Sequence, residues 1–175
     1  MNKNIFKIED YNSPDGMMTS IWGPPLWHTL HTISFNYPIN PTKEDKINYY
    51  NFFISLKDIL PCRYCRDNLK ANLKIMPLNK KVFKSRETLS RWVYLLHETI
   101  NKLLGKLSNL TYEDVRDRYE HFRSRCLNEK EIKQSKELGC TKSLYGVKGK
   151  CIINIVPKSS SRKTFNMDPK CKIKS

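Results

Sequence analysis

Several absences frame this 175-residue chain. No apolar run approaches the roughly 18 residues that a bilayer-spanning helix needs, so the sequence offers no membrane span. The first residues, Met1-Asn2-Lys3-Asn4-Ile5-Phe6, carry no apolar segment followed by a small-residue cleavage site. No secretory signal therefore directs the chain to an oxidising compartment, and its six cysteines need another explanation. Acidic residues are scarce: 17 Asp and Glu against 32 Lys and Arg leave a net charge of +15. The excess is uneven, with +8 in residues 127–175 and +7 in the much longer segment 1–126. Such a basic tail suits nucleic acid, an anionic membrane surface or an acidic protein, or is simply a solvated extension. No aromatic-rich basic stripe accompanies it, so only net charge speaks for nucleic acid. No internal repeat is apparent, and the length suits one domain with an appendage.

What is present centres on Leu60-Pro61-Cys62-Arg63-Tyr64-Cys65-Arg66, the first cysteines of the chain. Pro61 suits the first position of a helix, which would put the two thiols in its opening turn, close enough to form a disulfide. The positive end of the helix dipole, with Arg63 and Arg66 nearby, favours a thiolate there. The motif alone fits redox chemistry, half of a zinc site or a structural pair.

Taken in order, residues 1–20 contain the turn-rich string Asn12-Ser13-Pro14-Asp15-Gly16 and read as a flexible leader, with order expected from Trp22. From Pro24-Pro25 the pattern is helical: Leu26, Leu30, Ile33 and Tyr37 share a face, Trp27, His31 and Ser34 lie beside it, and Pro38 ends it. Thr42-Lys43-Glu44-Asp45 resembles a capping box opening a second helix, with Ile47, Tyr50, Phe53, Ile54 and Leu60 as its apolar positions. The third helix starts at Pro61, turns Leu69 and Leu73 inward and stops before Pro77. Residues 76–84 form a loop. Ser85 caps a fourth helix whose stripe runs through Leu89, Trp92, Val93, Leu96, Ile100, Leu103 and Leu104 to a closing Gly105. Thr111-x-x-Asp114 opens a fifth, with Val115, Tyr119 and Phe122 toward the core and Cys126 near its end. Beyond it, Cys140, Cys151 and several glycines punctuate a different kind of sequence. Residues 151–156 read as a short strand and 158–163 as flexible. The expected architecture is all-α: a four-helix bundle plus a short fifth helix over residues 21–126, followed by a small cysteine-containing appendage at 127–175.

Bundles build cofactor sites from facing helices. Trp27 and His31 lie four residues apart on the first helix, His97 and Asn101 four apart on the fourth, and Lys106 follows just past its end. Should these faces meet, they form an aromatic slot with a cation at its mouth, suited to a flat ring system bearing phosphates.

Trp22-Gly23-x-x-x-Trp27-x-x-Leu30-His31, Tyr37-Pro38, Pro61-Cys62-x-x-Cys65, Ser85-Arg86, Trp92 and His97-x-x-x-Asn101-x-x-Leu104-Gly105-Lys106 together resemble the Erv/ALR FAD-linked sulfhydryl oxidases. The form looks closest to the compact oxidases of large DNA viruses. The resemblance implies a homodimer of helical bundles, each with one FAD beside the Cys-x-x-Cys. It makes Cys65 the flavin-proximal thiol and Cys62 the one exchanged with the incoming dithiol. FAD contacts would fall on Gly23, Trp27, His31, His97, Asn101, Lys106 and the Arg118-Tyr119 pair, where the family usually has Arg-Trp. No metal is implied. Protein thiols would be the substrates and O₂ the electron acceptor, giving hydrogen peroxide. The absent signal and the viral likeness suggest a cytoplasmic or virion-associated location.

Two departures matter. Family members usually bridge the fourth and fifth helices with a disulfide, whereas this chain has Tyr94 and, allowing a one-residue insertion, Tyr112, as expected if packing replaces the bridge. The leader holds no cysteine, so any shuttle disulfide must come from Cys126, Cys140, Cys151 or Cys171. The compact Cys140-to-Cys151 segment favours at least one staple. The main rival is a Cys₂His₂ zinc module built from His28-x-x-His31 and Cys62-x-x-Cys65. A thioredoxin-like protein fits less well, since the motif sits among helices.

Overall fold

The computed structural model describes residues 7–11, 15–134, 141–144, 151–153 and 165–167. A short α1 (Ile8–Tyr11) precedes α2 (Thr19–Phe35), α3 (Lys43–Ile59), α4 (Arg63–Ile75), α5 (Arg86–Leu103) and α6 (Tyr112–Glu120). Then come β1 (Ser124–Cys126), α7 (Glu129–Gln134), β2 (Thr141–Ser143), β3 (Cys151–Ile153) and β4 (Phe165–Met167). Helices α2 to α5 are the bundle: α2 lies along α5, α3 along α4, and α6 closes over both α2 and α5.

The helix starts are written locally. Thr42, Ser85 and Thr111 each accept from the backbone N–H three residues on, and Asp45, Thr88 and Asp114 return the bond to the cap. Each box occupies amides that the first helical turn leaves without partners. At the other end of α5, Gly105 takes φ +65°, the left-handed turn that ends a helix with least strain when no Cβ is present.

The core gathers Leu30, Phe53, Leu56, Leu69, Leu89, Trp92, Val93 and Leu96. Tyr37 is fully buried among them, its hydroxyl donating to the Phe83 carbonyl at 3.0 Å. Arg86 donates to the Tyr37 carbonyl at 2.6 Å, which ties the end of α2 to the start of α5. A second cluster of Phe35, Tyr112 and Val115 seats α6. Here Tyr94 and Tyr112 meet edge to face at 5.9 Å; Tyr94 donates to the Leu110 carbonyl and Tyr112 bonds Ser90, each at 2.8 Å. The tyrosines do link the fourth and fifth bundle helices by packing and hydrogen bonds.

Several expectations change. Helix α2 begins at Thr19, before Trp22, so Pro24 and Pro25 lie inside it. The segment ahead of it is held against α4 through Asp15, Gly16 and Met17. Cys62 is the N-cap of α4 rather than part of its first turn; its sulfur accepts from the Cys65 N–H at 3.2 Å, the place usually taken by a serine or aspartate oxygen. Leu103 and Leu104, at the end of α5, are exposed. Cys126 lies in β1, beyond the end of α6 at Glu120; antiparallel pairing sets it opposite Thr141, so this small sheet straddles the expected 126/127 boundary. Strand β3 begins at Cys151 as expected and pairs with β4. The proposed Cys140–Cys151 staple, the flexible stretch 158–163 and Cys171 fall outside the residues whose side chains are described.

Candidate active site

Cys62 and Cys65 form a disulfide across a Cα–Cα distance of 5.2 Å at the N-terminus of α4. Cys62 is the more covered of the two, at 8% exposure. Arg66 donates to the Leu60 carbonyl at 2.5 Å and so braces the turn before the helix. Arg63 pairs with Asp15 at 3.0 Å, so part of its charge beside the sulfurs is answered by a carboxylate. The Thr19 hydroxyl stands 3.7 Å from the Cys65 sulfur, placing the first turn of α2 against the pair.

From Thr19, α2 carries a track inward at four-residue intervals: Thr19, Gly23, Trp27, His31. These positions share one side of a helix. Gly23 is buried, yet a Cβ there would meet only the Thr19 methyl, at 3.3 Å, so its bare backbone leaves a notch between Thr19 and Trp27. Trp27 stacks on His97 of α5 at 4.0 Å with the planes 5° apart. His31 bonds His97, Nε2 to Nδ1 at 3.0 Å. The faces of α2 and α5 do meet.

The histidines are held neutral. Burial, then the neighbouring His97 and His28, drives His31 down to about 3. Burial takes His97 to about 4, with Glu98 opposing the shift and Lys106 adding to it. Tyr119 roofs the cluster: it stacks on His31 and lies parallel to Phe35 with centroids 5.4 Å apart, its hydroxyl bonding His28 at 3.1 Å. Burial raises the Tyr119 phenol well above its ordinary range. Of the two buried side-chain atoms without a hydrogen-bond partner among the described residues, His31 Nδ1 and Asn72 Nδ2, the first lies in this cluster.

The remaining expected residues sit around this cluster. Asn101 is half-buried one turn beyond His97, its amide donating to Glu98 at 3.0 Å. Lys106 is exposed past Gly105, its backbone N–H bonded to the Asn101 carbonyl at 2.8 Å. Arg118 is half-buried in the last turn of α6, next to Tyr119. His28 and Phe35 also join the cluster, and neither was expected to. Their positions three before and four after His31 were the available signal. The zinc arrangement is not assembled: the cysteines are bonded to each other, while His28 and His31 engage Tyr119 and His97.

The fold and site define a helical-bundle protein with a Cys-x-x-Cys disulfide near a buried cluster of aromatic and imidazole rings. The Erv1 / Alr family model matches residues 24–137, well over half of the chain, and the chain belongs to that family. It is 43% identical over 94 residues to a probable FAD-linked sulfhydryl oxidase of Acanthamoeba polyphaga mimivirus, a match covering 54% of this chain and 65% of that one. It is 35% identical over 85 residues to the FAD-linked sulfhydryl oxidase ERV1 of Arabidopsis thaliana, covering 49% and 43%. The chain thus spans less than two thirds of either relative. Among solved structures, the FAD-binding domain of Erv1 from Saccharomyces cerevisiae superposes with a TM-score of 0.54 at 27% identity, over 59% of this chain and 95% of that domain.

Proposed function

We propose that this protein is an FAD-linked thiol oxidase that makes disulfides in protein substrates through Cys62 and Cys65. One observation carries the reading: the Cys62–Cys65 disulfide abuts the α2 track that leads through the Gly23 notch to Trp27, His97 and His31. The residues gathered here suit a flavin: aromatic and imidazole rings, with a cation just beyond. Leaving a buried polar atom unpaired costs about 1–3 kcal/mol, and His31 Nδ1 offers a ligand such a bond. The notch admits a close approach that a side chain would block. Gly23, Trp27, His31, His97, Asn101 and Tyr119 would hold the ring system and adenosine, with Lys106 and Arg118 toward the phosphates. Bound there, FAD would accept the dithiol's two electrons and deliver them to O₂ as hydrogen peroxide.

The protein's own part is thiol exchange. A substrate thiolate attacks the Cys62 sulfur, the Cys62–Cys65 bond breaks, and Cys65 leaves as a thiolate at the positive end of α4. A second substrate thiolate then attacks the mixed disulfide, releasing oxidised substrate and the reduced Cys62/Cys65 pair. Neutral His31 and His97 keep unpaired positive charge out of the pocket. Apolar Ile47, Tyr50, Phe52 and Ile59, all exposed on α3, support assembly as a homodimer. With oxidases of this kind named in viruses, we assign the protein to disulfide supply in a confined process such as virion assembly, in the cytoplasm or the particle.

The test is the purified protein. It should be yellow with a flavin band, consume O₂ with a dithiol, and lose flavin on His97→Ala. A colourless protein with one zinc per chain would replace this reading with the zinc module.

A further inference from the structure

The thiol expected to meet substrate is the covered one, and part of its cover comes from the chain's own N-terminal segment. Residues 15–17 run antiparallel to Pro61–Arg63 with Gly16 opposite Cys62. The Met17 N–H donates to the Pro61 carbonyl at 2.6 Å, and the Arg63 N–H donates to the Asp15 carbonyl at 3.2 Å. The Asp15–Arg63 ion pair and a 3.0 Å bond from the Trp22 indole to the Met17 carbonyl fasten both ends. Gly16 is obligatory: it has φ +86°, and a Cβ there would lie 2.5 Å from the Pro61 oxygen and 3.2 Å from Cys62 Cα. The strap itself is exposed while Cys62 beneath is buried.

Two features bear on it as a stand-in for another chain. Its pairing uses backbone groups, which any extended polypeptide carries, so the Pro61 carbonyl and Arg63 N–H are open to another extended strand. The residue facing Cys62 is a glycine in the left-handed region, so a substrate cysteine could take the same pair of backbone bonds only in an ordinary extended conformation, not in the one Gly16 adopts. We propose that Asp15–Met17 occupies the docking register of an extended, cysteine-bearing segment of the substrate protein. Substrate displaces the strap, takes over the bonds to the Pro61 carbonyl and Arg63 N–H, and thereby aims its thiol at Cys62. The strap is thus a competitor that selects unfolded or extended thiol proteins over small thiols, which gain nothing from the edge. This rests on Cys62 being the exchanging thiol, but not on flavin or O₂.

The experiment uses the full chain with Cys65→Ser, which leaves Cys62 as a free thiol. A peptide carrying one cysteine as its thionitrobenzoate mixed disulfide is added. The Cys62 thiolate attacks the peptide sulfur and thionitrobenzoate leaves, giving a coloured readout; Cys62→Ser/Cys65→Ser supplies the blank for the other cysteines. Adding Gly16→Ala should speed peptide capture by about tenfold if the strap is mostly closed, since the rate scales with the open fraction. An unchanged or slower capture by a folded variant overturns the proposal. Hydrogen exchange on the captured peptide complex of Cys65→Ser, with native Gly16, gives a second readout that needs no destabilising variant. The Met17 amide should lose protection while the Arg63 amide keeps it, because the peptide carbonyl has replaced that of Asp15. Loss at both amides, or at neither, contradicts docking in this register. Absence of flavin from the native protein would overturn the oxidase reading and leave this result intact.

Discussion

The molecule closes a disulfide within the start of one helix, α4, and ties two helices, α5 and α6, with tyrosines, and the two regions are built differently. Cys62 and Cys65 lie three residues apart at a helix end, with exposed Pro61, Arg63 and Tyr64 around them. Tyr94 and Tyr112 join α5 to α6 through ring packing and bonds to Leu110 and Ser90 inside the second apolar cluster. A disulfide at the second place would be open to reduction by the same thiols as the first. With tyrosines there, the link between α5 and α6 is indifferent to redox state, and reduction of the Cys62–Cys65 bond leaves it in place.

The contrast can be broken from either side. The largest effect should follow from Cys65→Ser, expected to drop dithiol-dependent O₂ consumption to background while thermal melting stays close to the native curve. Residual turnover above background, measured with an oxygen electrode, would remove Cys65 from the reaction. Tyr112→Ala should do the reverse, destabilising the protein by about 3–4 kcal/mol as aromatic truncations in cores do. Denaturant melts with and without reductant would check it, and the loss should be the same in both.

A third test concerns the neutral histidines. The unfolded chain takes up a proton at His31 below about pH 6.5, and the buried folded form does not until about pH 3. Stability is therefore complete above pH 6.5 and declines as the pH falls. One such group accounts for about 2 kcal/mol by pH 5, at 1.36 kcal/mol per pH unit. His31→Gln should flatten that decline in stability measured from pH 7.5 to 5, and an unaltered slope would place the acid sensitivity elsewhere. The smallest effect is at Tyr94→Phe. Losing the bond to the Leu110 carbonyl while keeping the ring contact should cost about 1 kcal/mol. A loss as large as that of Tyr112→Ala would mean the hydroxyl, not the ring, holds α6.

How far the chain could be read in advance depended on how far apart the interacting residues are. Thr42, Ser85 and Thr111 each bond a partner three residues away, and all three helix starts were legible. The α2 start was not, because Met18 offers no side-chain cap. What marks that start instead is the contact of Met17 with Pro61 and of Thr19 with Cys65. The apolar stripe of α5 was correct as far as Ile100, then overran into Leu103 and Leu104, which are exposed. The pocket residues Trp27, His31 and His97 were named from spacing and resemblance. That His28 would turn to Tyr119 was not, as 91 residues separate them.

The sequence by itself determined the helical class, the caps, the Gly105 stop and the Cys-x-x-Cys, because each rests on bonds closed within a turn or on residue chemistry. Tertiary structure alone decided that His31 and His97, 66 residues apart, share a hydrogen bond between α2 and α5. It alone decided that one nitrogen of His31 is buried without a partner among the described residues and that a cysteine-free strap pairs with the chain at Cys62. Burial, pairing and cover depend on which surfaces meet when the helices pack, and no local pattern of residues encodes that meeting.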